Sequence, residues 1–374
     1  MVGLGAVLLV AGETDSYGLA GAVAGTLALA GALGGPQWAR AMDRRGQGVV
    51  LRWAMAGYLV FGVAFVLAVV TGGPRWCWFL LAALTGASGP SIGSLIRARW
   101  AHALKAGPRQ TAFAFESVVD EVVFVVGPPL ITLLATLINP PFGFLTGIVI
   151  AVVGGLWLAG LRATEPPVEP VDHSAGAPRF AALGPTVLIV AAAYLAVGAV
   201  FGAMDVVVVA FAEKVGAPAM AGVALACYAG GSLVAGLVYG LLRLPGSLAG
   251  RYVACAVLFG AAAQVLLLVD SLPLLIALAF VAGLAIAPVL VAGLSLVESR
   301  VSRRALTEAL TWTTTGLTLG VTAGSALAGS AVDAWGAETA FGVPALAAGL
   351  AAVLALVGSP MLRRTAVPAG PATG

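Results

Sequence analysis

Charge is what this chain lacks most. Only 9% of its 374 residues are Asp, Glu, Lys or Arg, against roughly 25% in a soluble domain. With 60% hydrophobic residues and a mean hydropathy of +1.05, there is too little polar side chain to coat a water-soluble surface. Cysteine is scarce too. Cys77, Cys227 and Cys255 are far apart and odd in number, which excludes a disulfide framework and zinc-ligand spacing. His102 and His173 stand alone, so no metal site is expected. With no His cluster, Cys–His pair or phosphate loop, neither an enzyme nor a cofactor is expected. Asn139 is the sole asparagine, and Gln264 is the only amide well inside an apolar run; a sugar site would want several such groups. No Lys or Arg falls in the middle of an apolar run, and a carrier of phosphates or organic anions would want a buried cation. The basic residues are scattered over many loops, so nucleic acid is not an expected partner.

What the chain does have is long apolar runs with ordered charge between them. Of nineteen Lys and Arg residues, only Arg75 and Lys214 fall in the odd gaps; the other seventeen occupy every second gap. Short loops rich in Lys and Arg stay on the cytoplasmic side. The chain therefore reads as a multi-pass protein of the cell (inner) membrane with its even-numbered loops and its C-terminus inside. A spanning helix needs about 20 apolar residues. Runs of that size lie at 16–38, 49–71, 76–98, 112–138, 142–161, 183–211, 218–242, 252–269, 272–297, 306–332 and 337–358. They predict eleven full spans, and residues 2–11 form a stub too short to cross.

The chain also repeats itself. AGAV at 20–23 and AGVA at 221–224 each open a helix after a short acidic loop, one with Glu13 and Asp15, the other with Glu213. Upstream of the second copy stands a full helix, 183–211; upstream of the first the chain reaches Met1. Roughly twenty residues, most of one span, are expected to be missing there. Residues 162–182 are polar, Pro-rich and charged, and read as a flexible cytoplasmic linker. The expected architecture is all-α: residues 1–161 as an N-terminal bundle, 162–182 as linker, 183–359 as a C-terminal bundle, and 360–374 as a disordered tail. Two such six-helix halves suggest parallel repeats about an axis normal to the membrane. Glycines four apart recur, as at 21 and 25, 198 and 202, and 316, 320 and 324; they allow close helix approach, whether static or sliding.

The loop after the first full span reads Ala39-Arg40-Ala41-Met42-Asp43-Arg44-Arg45-Gly46-Gln47. It resembles the Gly-x-x-x-Asp-Arg-x-Gly-Arg signature of the major facilitator superfamily. Asp43, Arg44 and Gly46 match; Ala39 and Gln47 replace the first Gly and the last Arg. The counterpart near 240–251 keeps Gly240 and lacks the Asp-Arg pair. The chain is thus identified as a member of that family, and its Ala, Gly and Arg bias points to a GC-rich bacterial genome. The resemblance implies two six-helix bundles and a conformational latch at Asp43, Arg44 and Gly46, with the helix N-terminus near residue 306 receiving Asp43. The alternative is that the arginines only set topology. The family's membrane-embedded fourth-helix Arg has no match before Arg97, and its antiporter Gly series survives only as Gly127-Pro128-Pro129, so antiport does not follow from that motif.

Acids within apolar runs ask for a reason. Glu116, Asp120 and Glu121 cluster in 112–138, and three carboxylates so close would not all ionise easily in a low dielectric. They are either the proton-coupling site or an inner gate paired with Arg99 or Arg109. Tyr194, Gly198, Phe201, Gly202 and Asp205 share a helical stripe that resembles a cavity wall. Thr311, Thr314, Thr315, Thr318, Thr322 and Ser325 form a hydroxyl stripe beside Trp312. Tyr194, Asp205, Trp312 and Thr315 are the expected substrate-cavity residues. Glu308 opens its span and suits the dipole there. The expected function is secondary transport of a small neutral or cationic amphiphile by a monomer in the lipid bilayer, with proton-coupled efflux preferred. Uptake, or a non-transporting sensor or scaffold, is the alternative.

Overall fold

The structure, a computed structural model, describes residues 2–104, 106–167, 184–242, 245–301 and 306–364. Within these, the side chains of residues 36, 43, 101, 106–111, 113, 114, 117, 118, 120, 121, 124, 306–308, 363 and 364 lie outside the description.

Helices account for nearly all of it. The first half contains α1 (Val2–Thr14), α2 (Tyr17–Arg45), α3 (Gln47–Val70), α4 (Arg75–Ser88), α5 (Ile92–Ala103), α6 (Ala106–Leu137) and α7 (Pro140–Gly160). The second contains α8 (Pro185–Lys214), α9 (Met220–Leu241), α10 (Leu248–Ala263), α11 (Leu272–Gly283), α12 (Ile286–Arg300), α13 (Leu306–Trp335), α14 (Ala337–Ala340) and α15 (Gly342–Arg364). Among the described residues, ten segments are long and apolar enough to cross a membrane; Val2–Thr14 and Val125–Leu137, the described apolar part of α6, are shorter. Exposed apolar side chains such as Trp53, Trp157, Leu346 and Val357 cover the outside, the surface expected of a lipid-embedded bundle.

Helix ends follow local chemistry. Ser16 caps α2 by accepting from Leu19 N. Asn139 caps α7 with Pro140 behind it, and Pro185 opens α8, positions where the missing proline N–H costs nothing. Gly46 joins α2 to α3 at φ 89°, a left-handed conformation that favours glycine. That is a backbone reason for the glycine at this point of the loop signature.

Two runs expected to be continuous are broken. The run at 76–98 divides into α4 and α5 around Gly89, Pro90 and Ser91. Pro90 has no N–H for the Gly86 carbonyl and forces the preceding residue out of the helical region; Gly89 accordingly sits at φ −79°, ψ 110°. The run at 272–297 divides at Leu284 and Ala285, where Pro288 removes the donor for the Leu284 carbonyl. The two breaks occupy equivalent places in the halves. At the C-terminus, α15 continues through Pro360 to Arg364, beyond the expected boundary at 359. The start of the expected linker is also anchored. Thr164 accepts from Arg99, and Glu165 accepts from Gly48 N at 2.8 Å. The rest of that segment, 168–183, and the tail from 365 lie outside the described residues.

Close backbone approach at glycine holds each half together. In the second half, α8 and α13 make the most extensive contact in the molecule. A Cβ on Gly198 or Gly202 would overlap carbonyls of α13, and one on Gly316, Gly320 or Gly324 would overlap carbonyls of α8. In the first half Gly86 lies against Leu27 and Gly31, and in the second Gly231 and Gly283 lie against Phe280 and Tyr228. In lipid the apolar effect does not press helices together, so such packing has to supply the attraction. The halves meet along two seams, α2 with α13 and α6 with α9.

Candidate functional site

Among the described residues, the α2–α13 seam carries the densest polar chemistry between the halves. The helices run antiparallel, so the N-terminus of α2 meets the C-terminal turn of α13. There the Asp333 carboxylate accepts three hydrogen bonds from the first half: Ser16 Oγ at 2.9 Å, Tyr17 N at 2.9 Å and Gly18 N at 2.8 Å. Two of these donors are backbone N–H groups at the start of a helix, which lack an intrahelical partner. The acid of one half thus caps the helix of the other, where the helix dipole favours negative charge. Tyr17 also donates its hydroxyl to Glu213 at the end of α8. Lys214 and Glu338 form an ion pair at 2.8 Å within the second half. Acids therefore gather at this end of the molecule, and the arginine loops at the other.

Deeper along the seam, Gly21 lies against Ser325 and Gly25 against Thr322; the Thr322 hydroxyl donates to Gly25 O at 3.1 Å. On the second seam Gly222 of α9 fits against Pro128 and Pro129 of α6.

The arginine end is organised within the first half. Arg99 is buried and donates to Gln47 Oε1 at 2.9 Å, Leu161 O at 2.9 Å and Thr164 Oγ1 at 3.1 Å. It ties the loop-signature region to the start of the linker. Arg44 is exposed and Gly46 buried, while the Asp43 side chain lies outside the described residues. Glu116 pairs with Arg97 at 3.0 Å, so its described partner is neither Arg99 nor Arg109. Its Oε2 atom is buried with no partner among the described residues. The side chains of Asp120, Glu121 and Glu308 lie outside the description.

The expected cavity wall on α8 is different from the stripe that periodicity suggested. Gly198 and Gly202 are covered by α13. Tyr194 is only 3% exposed and donates its hydroxyl to Leu290 O of α12, so it faces no open space in this conformation. Asp205 is half-buried on the same helix, Thr315 half-buried and Trp312 exposed on α13; no described contact brings these four together as one site. Within the hydroxyl stripe, Thr314 bonds to Leu310 O and Thr318 to Thr314 O of their own helix, which is how such side chains satisfy themselves in lipid, while Thr322 and Ser325 reach Gly25 O and Gly202 O of neighbouring helices. Sequence reasoning missed Ser16, Tyr17 and the role of Asp333. One signal was present: an acid in the last turn of a helix opposes that helix's own dipole.

A cavity of about 240 Å³ lies inside the first half, beside the break between α4 and α5.

The family model for the Major Facilitator Superfamily matches residues 1–240 and 186–373. No curated protein matches the chain. Among solved structures, it is similar to the nucleoside transporter NupG at 15% identity and TM-score 0.71, over 96% of each chain. It is also similar to an auto-inhibited POT family peptide transporter (13%, TM-score 0.68, 100% of this chain and 98% of that one). A bacterial homologue of the human lysosomal transporter Spinster, inward-facing and unoccupied, gives 16% and TM-score 0.64 over 98% of each chain. At these identities the structural likeness shows the fold alone.

Proposed function

The chain belongs to the major facilitator superfamily, and we propose that it moves a small neutral or cationic amphiphile across the cell membrane by alternating access, as proton-coupled export. The observation that carries this reading is the polar tie between the halves at the antiparallel α2–α13 seam. The halves are tied together by Asp333, Ser16, Tyr17 and Glu213 at the acidic end. With the arginine loops inside, the end tied by these contacts is the outer one.

In the opposite state Asp43, Arg44 and Gly46 would latch the inner end, Asp43 meeting the N-terminus of α13. Residues 1–161 and 183–364 are the two moving units, joined by 162–182, with 365–374 as the tail. Glu116 is the leading proton carrier of its cluster with Asp120 and Glu121. It is 6% exposed and pairs with Arg97 at 3.0 Å. Asp205, Trp312 and Thr315 contact substrate as the halves part, while Tyr194 would first have to leave Leu290 O within its own half. The working unit is a monomer.

The test is flux of a fluorescent lipophilic amine into inside-out proteoliposomes under an imposed pH gradient. Glu116→Gln is expected to lower pH-driven flux at least tenfold and to leave substrate counterflow intact. Equal pH-driven flux in parent and variant removes Glu116 as proton carrier. No flux or counterflow of any amphiphile in the parent favours a membrane sensor or scaffold instead.

A further inference from the structure

The arginine end of the first half carries a groove whose charge and apolar surface suit one kind of occupant. Helices α3 and α7 pack antiparallel there. An added Cβ on Gly155 would meet Met55, and one on Gly48 would stand 3.0 Å from Ala159 O. Residues 48–55 of α3 therefore run beside residues 155–159 of α7. Arg52 falls between these two contacts and is exposed. At 1.5 Å per residue it stands about 7 Å inside the start of α3, whereas a loop position is enough for an arginine to set orientation.

Arg162 follows the end of α7 in the short turn Arg162–Thr164 and is also exposed. That turn is pinned to the start of α3. Arg99 donates to Leu161 O and Thr164 Oγ1 on one side and to Gln47 Oε1 on the other. Two arginines on neighbouring helices are thus held at the same end of one groove. Neither side chain makes a hydrogen bond or ion pair among the described residues. Glu165, three residues after Arg162, is already used, since it accepts from Gly48 N at 2.8 Å.

Further along the groove the surface is apolar. Leu59 and Val63 of α3 and Val149, Val153 and Leu156 of α7 are exposed, and Gly154 has open space where a side chain would stand. Trp53 and Trp157 are exposed near the level of the arginines, the depth at which indoles meet a headgroup layer. A cation at this depth asks for a counter-charge, and a phosphate supplies one with oxygens that match the guanidinium fork. A free phosphate ion would answer the arginines and leave the apolar strip uncovered; a lipid answers both.

We propose that this end of the α3–α7 groove binds an anionic phospholipid of the inner leaflet, its phosphate between Arg52 and Arg162 and its acyl chains along Leu59, Val63 and Val153. Binding requires no substrate, gradient or movement of the halves, so it stands or falls separately from the transport reading.

The probes are dibrominated phosphatidylglycerol and dibrominated phosphatidylcholine with the same acyl chains, mixed into phosphatidylcholine vesicles that hold the full chain. Bromine quenches a nearby indole, and the emission lost in Trp53→Phe isolates Trp53. The phosphatidylglycerol should half-quench Trp53 at a mole fraction on the order of 25-fold lower than the phosphatidylcholine, from about fivefold for each arginine near the surface. Arg52→Gln or Arg162→Gln should each raise that mole fraction about fivefold, and the double variant should bring it to the phosphatidylcholine value. Arg52→Lys with Arg162→Lys keeps both charges and should keep most of the preference. Arg75→Gln, at the opposite end of the bundle, should change nothing. Size-exclusion profiles and helical circular dichroism establish that each variant is folded. Equal half-quenching by the two lipids in the parent means unselective boundary lipid only, and overturns the assignment. So does an unchanged preference in the double glutamine variant. Displacement of the brominated phosphatidylglycerol by inorganic phosphate, beyond what chloride of the same ionic strength achieves, also overturns it, because the groove would then belong to the free ion.

Discussion

Replacing Asp333 with alanine should open the acidic end of the molecule. The side chain supplies both oxygens that receive Ser16 Oγ, Tyr17 N and Gly18 N, and all three donors belong to the other half. Losing a helix cap costs about 0.5–2 kcal/mol, and losing an exposed charge near a helix N-terminus about 0.3–1 kcal/mol. The two overlap, and the site is exposed and screened, so a total near 1–2 kcal/mol is reasonable. All of it applies to the state in which this end is closed, because separation of the halves returns the donors to water. The ratio of open to closed should therefore rise about 5- to 30-fold, at 1.4 kcal/mol per decade. Spin labels at positions 71 and 270, exposed loop sites at this end on opposite halves, report the ratio by double electron–electron resonance. Asp333→Asn keeps one acceptor oxygen and should give a smaller shift. Glu338→Gln is the control, since its partner Lys214 lies in the same half, and it should leave the distribution in place. Raising salt should weaken the Asp333→Ala effect through screening. An Asp333→Ala protein whose distance distribution matches that of its parent refutes the reasoning.

Two further outcomes test the packing. Gly320→Val should prevent α8 and α13 from closing, because a Cβ there overlaps the Leu195 carbonyl; overpacking of this kind costs about 1–3 kcal/mol or more. Gly240→Ala, with nothing within 4 Å of the added carbon, should leave the melting temperature in detergent unchanged or slightly higher. Arg99→Ala should lower stability by about 2–3 kcal/mol, the scale of hydrogen bonds to a charged group, and expose the chain after Leu161 to proteases. Arg99→Lys should recover only part of the loss, because a single ammonium cannot reach Gln47, Leu161 and Thr164 with the same fork.

The spans and their arrangement in two halves were legible because the signals are one-dimensional. Apolar length and the placement of arginine in alternate gaps need no knowledge of neighbours. Gly46 was legible as part of a loop signature, and its φ of 89° supplies the backbone reason. The breaks at Pro90 and Pro288 were readable in principle, since proline disturbs the residue before it and the carbonyl four back, but a high mean hydropathy hides them. Other features could not be read from sequence order at all. The stripe from Tyr194 to Asp205 identifies residues that share a face, while what stands opposite that face is a tertiary fact. Here it is α13, packed too tightly for a cavity at Gly198 and Gly202. Glu116 similarly has Arg97 rather than Arg99 or Arg109 as its described partner, a choice made by helix rotation.

Asp333 is the most instructive case, because Ser16 lies 317 positions away and no local pattern joins them. Yet each residue on its own was slightly out of place. An acid in the last turn of α13 is opposed by that helix's dipole, and the start of α2 still had unpaired N–H groups after Ser16 had satisfied Leu19. In water both conditions are cheap, since solvent answers them. At the rim of a membrane bundle, where two helices run antiparallel and in contact, each is the remedy for the other. An acid at the wrong end of one apolar helix, together with an underfilled cap at the start of another, is therefore a sign in the sequence of a seam between two halves.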